Sequence, residues 1–295
     1  MSEETPTIVF SPTGRKRSSI GAAQELWEFR EFVSYLTKRE LRTMYNRSYL
    51  GWLWSLINPI LVLIIYWFVF GTILTISRGS ASPTGLDSFA HFLMSGLILW
   101  NLFNQTSNGY LQAFQLSVTL RKKLYFPPSA HGVARTQVKM VESGLELVVL
   151  TVFYLAWGNF GITFILVPFM MLLAAMYGMG VGMLLAVPNV RYRDVGYLYA
   201  LFLRLFFYLT PVIWPYELIN PTNADKQSRI GIAPIRFVAQ WNPMAILIEA
   251  NRDITYRLRW PNPVHMVYLT VTSTLVLLLG WRTFNRRAIK ATEGL

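Results

Sequence analysis

Leu36-Thr-Lys-Arg-Glu-Leu-Arg-Thr-Met-Tyr-Asn-Arg-Ser-Tyr-Leu-Gly51 runs directly into Trp52-Leu-Trp-Ser-Leu-Ile-Asn-Pro-Ile-Leu-Val-Leu-Ile-Ile-Tyr-Trp-Phe-Val-Phe-Gly-Thr-Ile-Leu-Thr-Ile76. In the first half, Leu36, Leu41, Met44, Tyr45 and Tyr49 recur at near-helical spacing, with Lys38, Arg39, Arg42 and Arg47 on or beside the other face. That pattern predicts a basic amphipathic helix. The second half carries no charge and is long enough to cross a hydrocarbon core of about 30 Å. The chain is therefore expected to lie along a membrane surface and then turn into it.

Composition agrees. Of the 295 residues 53% are hydrophobic and only 14% charged, with mean hydropathy +0.37, whereas a soluble domain has about 25% charged residues. This reads as an integral membrane protein. The net charge of +12 would suggest nucleic acid in a soluble chain. Here the basic residues flank apolar runs, where an anionic leaflet and the positive-inside bias explain them, so nucleic acid is not an expected partner. With no cysteine, disulfide and thiolate chemistry are excluded. Residues 1–20 hold Arg15-Lys-Arg17 among small and polar residues and no apolar core of the kind a signal peptide has. They read as a mobile cytosolic tail.

Six crossings follow from where charges stop: about 52–76, 92–113, 140–156, 162–187, 195–214 and 264–281. The uncharged run from Leu147 to Val190 is too long for one crossing, and Trp157-Gly-Asn-Phe-Gly161 divides it. In the second span Asn101, Asn104, Gln105 and Asn108 are polar, so that half should face protein or water. An even number of crossings puts both termini on one side. That side carries nineteen Lys and Arg against seven on the other, so it is assigned to the cytoplasm.

Two connecting segments stand out. Before the last span, Asn242 can cap and Pro243 can open a short apolar helix within Trp241–Asn251, too short to cross. One or two re-entrant helices are expected there, with a helix capping the outer mouth as the alternative, and Pro261 and Pro263 end the excursion. On the cytoplasmic side, Arg121-Lys-Lys-Leu-Tyr-Phe-Pro-Pro128 sets three cations before an aromatic pair and a double proline that stiffens the backbone. Its rigid apolar tip suits a docking partner protein, or else lipid headgroups.

Four stretches, in order, carry a family resemblance: Arg42–Pro59, Arg121–Pro127, Asn189–Val195 (Asn-Val-Arg-Tyr-Arg-Asp-Val) and Leu209–Pro215 (Leu-Thr-Pro-Val-Ile-Trp-Pro). From about residue 25 onward the chain resembles the ABC-2 type permeases that export polysaccharides and polyol phosphates, and most of all the Wzm-type subunits for lipid-linked O antigen, teichoic acid or galactan. The resemblance implies an all-α integral membrane fold of six transmembrane helices, with an N-terminal amphipathic interfacial and gate helix and short re-entrant helices before the last span. The implied division is a tail at 1–20, amphipathic interfacial and gate helices at 21–51, a six-span domain at 52–284 and a cytosolic tail at 285–295. It also implies a homodimer in the cytoplasmic membrane, with two ATP-binding cassette subunits bound below. The cargo would be a polyprenyl-diphosphate-linked glycan of the O-antigen, teichoic acid or galactan type, entering beside the gate helix.

Several readings of residues accompany it. No Gly-x-x-x-x-Gly-Lys-Ser/Thr phosphate loop occurs, so this chain is not expected to be an enzyme, and ATP and Mg would be held by the partner subunit. Arg42 and Arg47, beside Tyr45 and Trp52, are the expected holders of the lipid diphosphate, because guanidinium grips phosphate through two bonds. Arg121, Lys122, Lys123, Tyr125, Phe126 and Pro127 are the expected ATPase-coupling contact. Glu142 and Glu146 share a face of the third span and Arg204 lies within the fifth; Arg204 either pairs with Glu146 or faces the channel. A sliding glycan needs aromatic platforms and weak hydrogen-bonding groups, for which Tyr66, Trp67, Trp100, Asn104, Tyr199, Phe206 and Tyr208 are candidates, packing being the alternative. His91, His131 and His265 have no metal-ligand spacing. The rival functions are an ABC-2 exporter of a small drug or lipid, and a membrane glycosyltransferase; Asp87 alone in the first external loop is too little for a metal-dependent one.

Overall fold

The computed structural model describes residues 19–44, 49, 51–73, 83, 84, 88–121, 125–192, 194–215 and 240–293. All regular structure among them is helical. Expectations for residues 1–18, Tyr45, Arg47, Arg78, Asp87, Lys122, Lys123 and 216–239 lie outside the described residues, as do the side chains of Trp52 and Arg121.

Two helices precede the first apolar segment: α1 (Ser19–Glu28) and α2 (Arg30–Met44). α2 has Glu31 in its first turn and Arg42 in its last, which complements the helix dipole, and it buries Val33 and Leu36. The helix thus begins earlier than Leu36, and α1 starts inside the segment read as a tail. A 3-10 turn (Gly51–Leu53) leads into α3 (Trp54–Tyr66), which holds Pro59 and widens into a π-helical stretch at Trp67–Ile73.

α4 (Phe89–Arg121) and α5 (Ala130–Ala156) are the long members of the bundle. At 33 residues α4 is roughly 50 Å long. α5 starts just after Pro127-Pro128, where the Ala130 N–H donates to the Pro127 carbonyl at 3.0 Å. It ends at the break expected around Trp157–Gly161: Gly158 takes φ +71°, and its N–H donates to the Leu155 carbonyl. The chain re-enters through a 3-10 turn (Ile162–Leu166) into α6 (Val167–Arg191). α7 (Asp194–Leu209) stops five residues short of the expected Trp214, because Pro211 cannot continue a helix and disfavours helical backbone at Thr210. α8 (Pro243–Thr255) begins as anticipated, with Asn242 Oδ1 accepting from the Met244 N–H at 3.0 Å and Pro243 in the first turn. α9 (Pro263–Glu293) runs on through most of the segment expected to be a C-terminal tail.

α6 is the central helix, packed along α4 on one side and α9 on the other. Glycines permit both contacts. A Cβ on Gly178 would lie 2.8 Å from the Phe103 carbonyl oxygen, and one on Gly180 would lie 2.7 Å from the backbone at Val276 and Leu277. Small residues that let backbones meet are how helices associate where lipid removes the hydrophobic drive. The outward faces are apolar too: Val264, Val267, Val271, Leu275 and Leu278 are exposed along α9. Ile162–Arg191 and Pro263–Ala288 are long and apolar enough to cross a membrane.

Candidate functional site

Asn101, Asn104, Gln105, Asn108, Gln112 and Gln115 are three, four or one residue apart, which sets six amides on one face of α4. Asn108 donates to Asn104 Oδ1 at 2.6 Å, so the row is partly self-satisfied. Its lower part opens onto a cleft of about 650 Å³ bounded by Asn108, Leu111, Gln112, Gln115 and Val118 of α4, Asn189 and Val190 of α6, and Gly196, Tyr197 and Ala200 of α7. That volume lies within the range of ligand-binding clefts. Its polar lining consists of neutral amides and one phenol. Such a surface offers many weak hydrogen bonds and no fixed charge, so a polyhydroxylated chain can be held without being trapped.

α7 arms the other wall. Tyr199 and Leu203 are buried against the core, whereas Tyr197, Leu201, Arg204 and Tyr208 form an outward row. Of the proposed aromatic platforms, Tyr208 and Trp67 are exposed and Tyr66 is half-buried against Phe70. Trp100 is packed instead, its ring 5.4 Å from Phe207 and 5.9 Å from Phe206. Tyr199 is likewise buried, and Phe206 stacks on Phe202 at 5.1 Å.

The intramembrane charges are not brought together. Glu142 pairs with Lys139 at 2.6 Å. Glu146, one turn further on, lines a small cavity with Asn58 and Pro59 of α3 and Asn101 of α4. No ion pair joins it to Arg204, which is exposed.

A second assembly lies where α2 meets the start of α5. Tyr125 donates to Glu25 Oε1 at 2.6 Å, Thr37 donates to Gln137 Oε1 at 2.8 Å, and Glu40 pairs with Arg135. Phe126 is buried with its ring 5.5 Å from Phe32 and 5.0 Å from His131. Val33, Leu36, Ala130 and Ala134 complete this core, and Pro127 is buried beside it. Burial, assisted by the Arg39 guanidinium, holds His131 below the ordinary imidazole range. Tyr125, Phe126 and Pro127 are thus brought onto α1 and α2. Arg42 is exposed at the end of α2, and Arg121 ends α4.

Sequence reasoning missed Arg252. It is fully buried, donating to the Pro211 carbonyl at 2.7 Å and the Val212 carbonyl at 2.5 Å, with its guanidinium 3.7 Å from the Phe92 ring centroid. It ties α8 to the break after α7. Gln112, Gln115 and Tyr197 were also missed. The amide spacing that begins at Asn101 continues through both glutamines and was the available signal.

The profile of the family described as "ABC-2 type transporter" matches residues 31–256. The chain is 25% identical over 277 residues to the O-antigen export system permease protein RfbA of Myxococcus xanthus, covering 94% of this chain and 100% of that protein. A protein of the same name from Klebsiella pneumoniae is 23% identical over 265 residues, 89% of this chain and 94% of the relative. The polysialic acid transport protein KpsM of Escherichia coli is 22% identical over 257 residues, 86% and 93% respectively. With over three quarters of its length inside the family match, the chain belongs to the ABC-2 type transporter family.

Proposed function

We propose that this protein is the permease subunit of an ATP-driven exporter that moves a polyprenyl-diphosphate-linked polysaccharide of the O-antigen, teichoic acid or galactan kind across the cytoplasmic membrane. The observation that carries the reading is the amide face of α4 where it lines the cleft with Tyr197. Leu111, Val118 and Val190 share that lining, as aliphatic side chains would in a pocket for a small apolar drug, and the amides add hydrogen-bonding groups that such a drug would not need. A row of neutral amides suits a hydroxyl-rich polymer that has to slide. The names of the relatives, O-antigen export and polysialic acid transport, support the same class of cargo.

In this reading the chain crosses the membrane six times with both termini in the cytosol: α3, α4, α5, α6, α7 and α9 cross, and α8 dips into the outer leaflet. α1 and α2 lie on the inner face, with α2 as the gate beside which the lipid-linked cargo enters, and Arg42, Tyr45, Arg47 and Trp52 meet the diphosphate. Two copies form the pathway. Two ATP-binding subunits dock below at the loop that Arg121 opens, beside the core in which Phe126 and Pro127 are buried, and supply ATP, Mg and hydrolysis. Because Tyr125 and Phe126 touch α1 and α2 directly, a push on that loop reaches the gate without passing through the bilayer.

The test is to purify the tagged protein with its bound partners, then deplete it in cells and identify the glycan that accumulates on the cytosolic leaflet. Co-purification of an ATP-binding subunit and accumulation of a complete lipid-linked polysaccharide are the expected results. Sugar transfer by the isolated chain, or no glycan accumulating, would sink the reading.

A further inference from the structure

Arg204 sits ten residues into α7, about 15 Å along the helix from Asp194. Its side chain is exposed and has no ion-pair partner among the described residues. The helices packed on α7 offer none: neither α4 (Phe89–Arg121) nor α6 (Val167–Arg191) contains a single Asp or Glu. A guanidinium at that depth is expensive against lipid tails, and the feature persists where the group meets water or an anion.

Its neighbours point to the second. Arg204 lies seven residues after Tyr197 and four after Ala200, both of which line the amide cleft, and four before Tyr208. Tyr197 is 79% and Tyr208 68% exposed. The row therefore runs on from the cleft wall as Tyr197, Leu201, Arg204 and Tyr208, so that a planar fork of N–H donors lies one turn from one phenol and two turns from the other. The fork matches the geometry of phosphate and carboxylate oxygens.

Building on the proposed export function, we propose that Arg204 is an anion-recognising subsite in the wall of the path. It takes a phosphate or carboxylate group of the passing cargo, with Tyr197 and Tyr208 as supporting donors. Two sources share this chemistry: the diphosphate of the lipid carrier and acidic substituents of the glycan itself.

The test co-expresses the full chain with its ATP-binding subunit in cells that build either a neutral or a uronic-acid-containing glycan on one polyprenyl diphosphate. Export is compared for wild type, Arg204→Gln and Arg204→Lys. Arg204→Gln should lower export about tenfold, the effect of losing one charged hydrogen-bonded contact, and Arg204→Lys should restore part of it. A loss with both glycans identifies the diphosphate as the ligand; a loss confined to the acidic glycan identifies its carboxylates. Arg204→Gln exporting both at the wild-type rate overturns the subsite.

Should Arg204→Gln fail to assemble, Arg204→Cys carries the test in this cysteine-free chain. An anionic, water-soluble thiol reagent should label it, and accumulated cargo should protect it. Absence of labelling would place the side chain against lipid and overturn the proposal. A wild-type complex that exports neither glycan overturns the export function together with the subsite, whereas normal wild-type export with an unaffected Arg204→Gln removes the subsite alone.

Discussion

The Tyr125 hydroxyl donates to Glu25 Oε1 at 2.6 Å, joining the Pro-Pro loop before α5 to the first helix of the chain across one hundred residues of sequence. A bond to a carboxylate contributes about 1.5–3 kcal/mol when sheltered, and less where water reaches it. Tyr125→Phe should therefore leave the protein assembled with its ATP-binding subunit and hydrolysing ATP. Export per ATP hydrolysed should fall severalfold. Measuring both rates on one reconstituted preparation checks this, and an unchanged ratio counts against direct transmission through the loop.

The same platform should respond to pH. His131 is held below its ordinary value of 6.5, first by burial and then by Arg39, and its Nδ1 is buried without a hydrogen-bond partner. The folded platform prefers the neutral ring, so its full stability is present above pH 6.5 and is lost as pH falls below that value and the unfolded ring takes up protons first. Spin labels attached beforehand to cysteines at Thr37 and Gln137, whose side chains bond at 2.8 Å, should show strong dipolar broadening at pH 7.5 and weaker broadening near pH 5. His131→Leu should flatten that dependence.

Helix existence was legible where charge and periodicity changed together. The break at Trp157–Gly161 and the Asn242-Pro243 start of α8 could be read because turn and cap residues act locally. Pro211 was equally readable as a stop for α7, but the apolar run through Trp214 outweighed it. The start of α2 at Arg30 was not readable from Leu36 onward, since its buried Val33 belongs to a face completed by Phe126, Ala130 and Ala134, a hundred residues away. Arg252 shows the limit of counting charges. Glu249 pairs with it from one turn away at 3.6 Å, a spacing the sequence shows, but its shortest contacts are the Pro211 and Val212 carbonyls, which no side-chain pattern announces.

That arginine makes a sharp stability prediction. Arg252→Met keeps most of the volume but strips the Pro211 and Val212 carbonyls of their donors in a site with no exposure. Each orphaned buried acceptor costs about 1–3 kcal/mol. The variant should melt well below wild type in detergent, and α8 should become accessible to protease. Arg252→Lys should recover only part of the loss, because one ammonium cannot reproduce the fork.

Gly280 faces the backbone of Gly180 so closely that a Cβ on it would fall 2.5 Å from the Gly180 carbonyl oxygen. Neither partner atom is the end of a flexible side chain, so α6 and α9 would have to move apart. Gly280→Ala should destabilise the protein by about 1–3 kcal/mol, the range for overpacking, and Gly280→Leu should prevent accumulation in the membrane. Gly144, whose added Cβ would meet nothing within 4 Å, is the control: Gly144→Ala should fold normally and gain slightly in helix propensity.

The amide row separates transport from assembly. Asn108 and Gln112 line the cleft, and Gln112 is exposed to it while neighbouring Leu111 and Ala113 are buried. Replacing both amides with Leu removes hydrogen bonds worth about 0.5–1.5 kcal/mol each to a polar cargo, which multiplies to roughly tenfold in transport. The one internal bond lost is that from Asn108 to Asn104 in the partly buried amide row, so the yield of folded protein should stay near wild type. Gln112→Trp should act differently, by filling the cleft: export should fall further, and lipid-linked glycan should accumulate still bound to the complex. If the double Leu variant exports normally while Gln112→Trp also does so, the cleft between α4 and α7 is not on the path of the polymer, since neither its chemistry nor its width would then matter to the cargo.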